Sequence, residues 1–371
     1  MNRIRQITAL GQALWLDYIR RDLIRSGRLG ELVAEGLTGV TSNPTIFHKA
    51  IAGSTLYDDD IRALSRDGRS AQETYEALAL GDVAEAADCL RAVYNETHGR
   101  DGFVSLEVSP RLAHDADGTI AEARRLFTTL RRPNVMIKVP GTEAGLPAIS
   151  TLIGEGINVN VTLIFSLAMY ERVIDAYLEG LRRLQHTGRP LGLVSSVASF
   201  FVSRIDTLVD KILDHRVEHG EPHLEPLYGL TAVACAKLAY ARYKAVFEGP
   251  RFEPFRAAGA RPQRPLWAST STKNPAYPDT KYVDPLIGVN TVNTVPPETL
   301  EAIRDHAVTA QTVERDLGDA ERVLHELAGL KVDMDWVTGT LLEEGVRAFT
   351  ASYDRLLADL DAKRAALQQP A

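Results

Sequence analysis

The sequence contains only two cysteines in 371 residues, Cys89 and Cys235. Both lie in alanine-rich stretches that look helical, and neither belongs to a Cys-x-x-Cys pair. A disulfide framework is therefore not expected. A reducing, cytoplasmic compartment fits this cysteine usage best.

Long apolar runs are also absent. No uninterrupted apolar stretch is long enough to span a bilayer. The N-terminal stretch has early arginines followed by apolar residues, but Gln6, Gln12 and Asp17 interrupt it and no small-residue cleavage site follows. We therefore expect neither a membrane span nor a secretion signal.

The chain has no excess of positive charge. It contains 42 Lys and Arg residues and 49 Asp and Glu residues, which gives a net charge of −7. This balance argues against a nucleic-acid partner or a membrane surface. It leaves room for a small anionic substrate, which a few local cations suffice to bind. With 45% apolar and 25% charged residues, the composition is that of a globular protein.

Short apolar segments alternate with amphipathic helical segments along most of the chain. A Gly-rich turn, which often follows the first strand of an open doubly wound sheet, is missing after "LWLDY". Eight alternating strands and helices instead favour a closed α/β architecture, the (β/α)8 barrel. The strand candidates are residues 14–18, 37–43, 102–110, 135–139, 157–166, 191–200, 265–270 and 288–295.

The whole chain, residues 1–371, is predicted to form one barrel domain. Helical insertions are expected near 48–100 and 205–264, and a helical extension over 298–367. The extension ends in a long helix that either packs across the barrel or makes an oligomer contact. The Pro-, Gly- and Arg-rich link at 248–265 is predicted to be a solvated loop.

Polar residues cluster at or near the ends of the predicted strands. In a (β/α)8 barrel these carboxyl ends form one rim, and that rim carries the chemistry. Residues far apart in sequence would thus meet in one pocket. The polar residues are Asp17, Asn43, Glu107, Lys138, Asn160, Thr162, Ser199, Arg204, Ser271 and Lys273.

Two of these segments allow two interpretations each. Asn158, Asn160 and Thr162 alternate in "NVNVT" and so share one face of a strand, which either lines a site or bonds outward to helices. Lys138 interrupts the apolar run "VMIKV". It either forms a structural ion pair with Glu107 of the adjacent strand or offers a neutral amine that attacks a carbonyl.

Three motifs resemble the transaldolase family in its longer bacterial form: "GVTSNPTIF" (39–47), "VMIKVPGTEAGLPAI" (135–149) and "INVNVTLIFS" (157–166). The resemblance runs from about Asp17 past "LWASTSTKNPAY" (266–277). It implies a (β/α)8 barrel of the class I aldolase type that uses no metal or other cofactor. It also implies transfer of a dihydroxyacetone unit from sedoheptulose 7-phosphate or fructose 6-phosphate to glyceraldehyde 3-phosphate or erythrose 4-phosphate, in the non-oxidative pentose phosphate pathway.

The resemblance also implies a role for each matching residue. Lys138 matches the Schiff-base lysine, Glu107 the acid/base glutamate, Thr162 the threonine that holds a catalytic water, and Asp17 the aspartate that handles the proton of the C4 hydroxyl. The other matches bind substrate: Asn43, Asn160 and Ser199 at the dihydroxyacetone hydroxyls, and Arg204, Ser271 and Lys273 at the phosphate.

Lys273 departs from the shorter family members, which have arginine there. A lysine gives a point charge in place of a bidentate fork, so phosphate binding is expected to persist with altered strength or placement. The long 200–264 connection and the C-terminal extension likewise have no counterpart in the short members.

Other functions remain open at this stage. One alternative is a class I aldolase on the same scaffold that releases free dihydroxyacetone or accepts deoxyribose phosphate. The other is a non-catalytic sugar-phosphate-binding barrel. "HRVEHGEPH" places His215 and His219 on one helical face, but a solvated surface is the preferred interpretation over a metal site. Monomer and homodimer are both compatible with the sequence.

Overall fold

A computed structural model describes residues 2–368. Eight parallel strands close into a barrel in chain order. The strands are β1 (Gln12–Leu16), β2 (Gly39–Thr41), β3 (Phe103–Glu107), β4 (Val135–Pro140), β5 (Val159–Ile164), β6 (Ser196–Phe201), β7 (Arg264–Ala268) and β8 (Thr291–Val295). Each predicted strand is present, and the (β/α)8 fold is confirmed.

The helices surround the barrel and extend beyond it. They are α1 (Arg3–Ala9), α2 (Arg21–Arg25), α3 (Arg28–Glu35), α4 (Pro44–Ile51), α5 (Asp58–Arg66), α6 (Ala71–Cys89), α7 (Arg91–Glu96), α8 (Ala116–Leu130), α9 (Gly145–Gly154), α10 (Leu167–His186), α11 (Ser203–Glu218), α12 (Thr231–Phe247), α13 (Glu253–Ala257), α14 (Pro297–His306), α15 (Leu317–Gly329) and α16 (Met334–Gln368). Within residues 2–368, no helix combines the length and the apolar character needed to cross a membrane.

The strands are buried along almost their whole length, because helices cover the outside of the barrel while side chains fill its interior. Close packing starts between the first two strands, where Trp15 stands in register with Gly39. A Cβ atom on Gly39 would lie 2.6 Å from the indole ring, so only glycine leaves room for Trp15 there.

Two sequence predictions need correction. Residues 191–193 form a 3-10 turn after Pro190, so β6 begins only at Ser196.

The link at 248–265 is not a fully solvated loop. It contains α13, and it buries Phe252 and Phe255 because two aromatic side chains gain more from packing than from exposure to water.

The long helix α16 lies across the carboxyl end of the barrel in its own chain. It packs against α4, α5, α6 and α11. Thr45 donates to Ser352 Oγ (2.9 Å), Arg111 pairs with Asp354 (2.6 Å), and Tyr353 meets Tyr75 edge to face. Of the two roles considered for this helix, packing across the barrel is the one observed.

Candidate active site

A cavity of about 430 Å³ opens at the carboxyl end of the barrel, where the strand ends converge. Glu107 and Asn160 lie behind its wall, in contact with Lys138 and Ser199 respectively. The structure thus brings all ten predicted residues to one place. Those that line the cavity directly are Asp17, Asn43, Lys138, Thr162, Ser199, Arg204, Ser271 and Lys273.

Lys138 occupies the centre of this arrangement. On β4 it stands in register with Glu107 of β3 and with Asn160 of β5. Only 5% of the surface of Lys138 is exposed to solvent. The ammonium nitrogen donates to the carbonyl oxygen of Ser42 (3.1 Å) and lies 3.5 Å from Glu107 Oε2. The ion pair considered from the sequence is therefore present. The same lysine also lines the cavity, and the catalytic interpretation of "VMIKV" stays a prediction.

Glu107 is a buried acid with free hydrogen-bonding capacity. Burial raises the pKa of its carboxyl, and the charge of Lys138 acts in the opposite direction. Among the described residues, its Oε2 atom accepts no hydrogen bond of normal geometry. A carboxyl of this kind is suited to accept and return a proton.

Asp17 lies just past the end of β1 and is partly buried. Burial raises the pKa of its carboxyl, while the charge of Lys138 and a hydrogen bond from Thr41 lower it. Thr41 Oγ1 donates to Asp17 Oδ1 (2.7 Å) and contacts Thr294 Oγ1 (2.7 Å). This chain of hydroxyls from β2 and β8 fixes the orientation of the carboxylate.

Thr162 is presented at an irregularity of β5. The register with β6 shifts between Val161 and Ile164, and Leu163 adopts a left-handed conformation with φ of 59°. Such bulges redirect side chains next to sites. Thr162 Oγ1 is buried, lines the cavity and has no hydrogen-bond partner within residues 2–368.

The polar residues of β5 divide by position. Asn160 accepts from Ser199 Oγ (2.7 Å) and donates to Ser105 Oγ (3.0 Å), so it belongs to the site. Asn158 instead donates to the carbonyl oxygens of Pro133 and Val135 at the amino end of β4. Asn158 thus bonds to backbone beside the neighbouring strands and not to the helices that the outward interpretation expected.

Asn43 has a structural task as well as a place in the cavity. Its side chain caps α4 by accepting from Ile46 N (3.0 Å), and Pro44 occupies the first helical position. Its amide nitrogen is the group that remains for a ligand hydroxyl.

The cationic side of the cavity is formed by Arg204 and Lys273. Arg204 begins α11, with its guanidinium 5.5 Å from the centre of the Phe201 ring. Burial lowers its pKa, and the charge of Glu344 on α16 opposes that shift. Lys273 Nζ donates to Ser271 Oγ (2.5 Å). Two cations and a hydroxyl together suit a phosphate group.

Several residues of the cavity were missed from the sequence. Thr41 directly precedes the predicted "SN" turn, and Thr294 lies at the end of the predicted strand 288–295, so both left a local signal. Lys49 on α4 and Phe349 on α16 left none, because only the packing of α4 and α16 over the rim brings them to the cavity.

In the described part of the chain, no group of three or more His, Cys, Asp or Glu side chains is arranged to hold a metal ion. His215 and His219 stack on α11 with ring centres 4.3 Å apart, and His219 Nδ1 contacts the backbone carbonyl oxygen of His215.

Comparison with known proteins adds a separate line of evidence. A family model described as Transaldolase/Fructose-6-phosphate aldolase matches residues 14–360. A transaldolase of Frankia alni is 49% identical over 358 residues, which cover 96% of each chain. Transaldolases of Thiobacillus denitrificans and Neisseria gonorrhoeae are 47% and 45% identical, over 97% of this chain and all of theirs.

Proposed function

The chain belongs to the transaldolase/fructose-6-phosphate aldolase family, and we propose that it performs transaldolase chemistry through a Schiff base on Lys138. The observation that carries this proposal is the position of Lys138, a buried lysine that lines the cavity and has an acid 3.5 Å from its nitrogen. Two acids with raised pKa values, Glu107 and Asp17, are both influenced by the charge of the lysine and support the proposal.

In the proposed reaction the neutral amine of Lys138 attacks C2 of a ketose phosphate. The resulting carbinolamine loses water and becomes a protonated imine. Glu107 supplies and removes the protons of these steps through a water bound by Thr162. The 3.5 Å separation from the lysine nitrogen and the unpartnered Thr162 hydroxyl support these two roles.

Cleavage of the C3–C4 bond follows. Asp17 accepts the proton of the C4 hydroxyl, C4 becomes the aldehyde carbon of the departing aldose phosphate, and the bonding electrons move to the imine to give an enamine. The protonated imine is the electron sink. An incoming aldose phosphate is then attacked by the enamine, and the steps run in reverse.

The remaining polar residues hold the two ends of the substrate. Asn43, Asn160 and Ser199 retain the three-carbon unit by hydrogen bonds to its hydroxyls. Arg204, Lys273 and Ser271 bind the phosphate, which positions the reacting carbonyl. Sedoheptulose 7-phosphate and fructose 6-phosphate are the proposed donors, and glyceraldehyde 3-phosphate and erythrose 4-phosphate the proposed acceptors, in the cytoplasm and in the pentose phosphate pathway.

The test is borohydride reduction of the protein in the presence of fructose 6-phosphate, followed by peptide mass mapping. We expect a reduced dihydroxyacetone adduct on Lys138. Lys49 and Lys273 line the same cavity and serve as internal controls, since an accessible but unactivated lysine stays unmodified. An unmodified Lys138 in folded protein would contradict the mechanism and favour the non-catalytic barrel.

An acceptor assay separates the transferase from an aldolase. With fructose 6-phosphate alone, a transferase releases at most one equivalent of glyceraldehyde 3-phosphate and holds the three-carbon unit on Lys138. Added erythrose 4-phosphate then restores turnover. Continuous release of free dihydroxyacetone without an acceptor would identify the aldolase instead.

A further inference from the structure

A second cavity of about 470 Å³ lies at the opposite, amino end of the barrel. Met136, Ser196 and Arg264 line it, each within the first two residues of its strand, and Asn290 lines it just before β8. The mechanism above uses none of these residues. The volume falls within the range of about 300–1,000 Å³ that is usual for small-molecule sites.

The link at 248–265 forms one wall of this amino-end cavity. Phe252, Arg256 and Arg261 come from it, and Tyr243 and Phe247 of α12 continue the lining. The link is held in place by its buried aromatic residues, since Phe252 packs edge to face on Phe247 with ring centres 5.0 Å apart. The wall is therefore a packed structure.

Arg261 is held in the cavity by neutral groups. Its guanidinium donates to Ser195 Oγ (3.1 Å) and to the carbonyl oxygen of His98 (2.7 Å). Within residues 2–368 it makes no salt bridge to a carboxylate. Burial lowers the pKa of Arg261, and the positive charge of Arg100, which also lines the cavity, acts in the same direction.

The other two arginines are partly neutralised. Arg264 lies 3.4 Å from Asp101, whose carboxylate also accepts from Trp15 Nε1 (2.8 Å), and Arg256 pairs with Glu253. Glu248 is the carboxylate among the lining residues. The cavity thus holds more positive charge than its acids balance.

We propose that the amino-end cavity binds a small phosphorylated molecule. The forked guanidinium groups of Arg100 and Arg261 match phosphate oxygens. The rings of Tyr243, Phe247 and Phe252 offer contacts for the organic part of the ligand. Glu248 accepts from a ligand hydroxyl and disfavours a second phosphate.

The experiment uses a background variant in which the catalytic phosphate ligands are removed, Arg204→Gln with Lys273→Gln. Phenyl phosphate is titrated into it by isothermal calorimetry, with inorganic phosphate as a second probe. We expect phenyl phosphate to bind at one site per chain and more tightly than inorganic phosphate. Because the catalytic ligands are absent, the result does not depend on the proposed function.

Two substitutions locate the binding. Adding Arg261→Gln or Arg100→Gln is expected to weaken binding at least about tenfold, the usual effect of losing one charge-assisted hydrogen bond. Arg66→Gln on α5, whose guanidinium contacts only the Arg62 carbonyl oxygen among the described residues, is the matched control and leaves binding unchanged.

Either of two results would overturn the proposal. One is the absence of binding to the background variant up to about 10 mM phenyl phosphate, where even weak specific sites fill. The other is unchanged affinity in both arginine variants. If Arg261→Gln fails to fold, as judged by circular dichroism, Arg100→Gln decides, because Arg100 is exposed and is not needed for packing.

Discussion

The two ends of the barrel hold cavities of similar volume, about 430 Å³ and 470 Å³, but the charged side chains that line the two cavities differ in kind. At the carboxyl end, one buried lysine lies beside acids whose pKa values are raised. At the amino end, arginines dominate and neutral groups hold one of them, Arg261.

The difference follows from what each kind of side chain can do. Lysine and carboxylic acids exchange protons readily when burial shifts their equilibria, whereas a guanidinium stays protonated. We therefore propose that the carboxyl end moves protons and forms bonds, whereas the amino end binds a ligand. Four experiments test this contrast, from the largest expected effect to the smallest.

The first experiment removes the nucleophile and keeps the charge. Lys138→Arg leaves a cation opposite Glu107, so the protein is expected to fold, but a guanidinium does not form the imine. We expect turnover to fall at least about 10⁴-fold in a coupled assay, as for loss of other covalent nucleophiles. Turnover within tenfold of the unsubstituted protein would mean that Lys138 is not the nucleophile.

The second experiment removes one acid. Glu107→Gln is expected to lower kcat by about 10²–10⁴-fold, the usual contribution of a general acid or base. Because burial raises the pKa of Glu107, the limb of the pH profile that it controls lies above the ordinary glutamic acid range. That limb disappears in the variant. An unchanged profile would assign the proton transfer to another group.

The third experiment compares the two cationic residues of the proposed phosphate site, Arg204 and Lys273. Arg204→Gln is expected to raise KM for fructose 6-phosphate by about 10–10²-fold, with a smaller change in kcat, because a charge-assisted contact is lost. Lys273→Gln, at a more exposed position, gives a smaller increase, and Arg66→Gln gives none. Equal effects of Arg204→Gln and Arg66→Gln would show that Arg204 does not bind the phosphate.

The fourth experiment measures the cost of a buried acid near the carboxyl end. Asp206 on α11 accepts from Ala232 N (2.7 Å) and from Tyr282 (2.9 Å), and burial raises its pKa from 3.8 to about 6. Between these two values the native state binds more protons than the unfolded chain. The free energy of unfolding therefore falls as the pH rises from about 4 to about 6.

Asp206→Asn should remove this contribution and flatten the pH dependence of unfolding by urea. The change amounts to at most about 3 kcal/mol, since each pKa unit corresponds to about 1.4 kcal/mol. The same pH slope in both proteins would contradict the assignment. Asp361→Asn on the exposed face of α16 is the control and keeps the slope.

The sequence alone identified the fold because its signals are local and repeated. Val, Ile and Leu runs that alternate with helical periodicity require buried parallel strands, and eight of them close a barrel. The boundary of β6 was misplaced because "LGL" reads as a strand until the turn after Pro190 is seen. The ten predicted site residues could be found from the sequence for a similar reason, since each lies in or near the end of a predicted strand.

The rest depended on contacts between distant segments. Phe349 reaches the carboxyl-end cavity only because α16 crosses the rim, and Leu163 adopts φ of 59° beside Gly345 of that helix. Arg261 reads as a loop arginine in the sequence, and only the packed link and the starts of the strands enclose it.

The sequence by itself therefore determined the number and order of the strands and the kinds of side chain at their ends, because these follow from local hydrophobic periodicity. Tertiary structure decided which charged side chains come into contact with one another. Whether a buried lysine faces an acid, a carbonyl oxygen or a cavity depends on strand register and helix packing, which join residues far apart in the chain. The same packing made a second, arginine-lined cavity at the end of the barrel that the chemistry leaves unused.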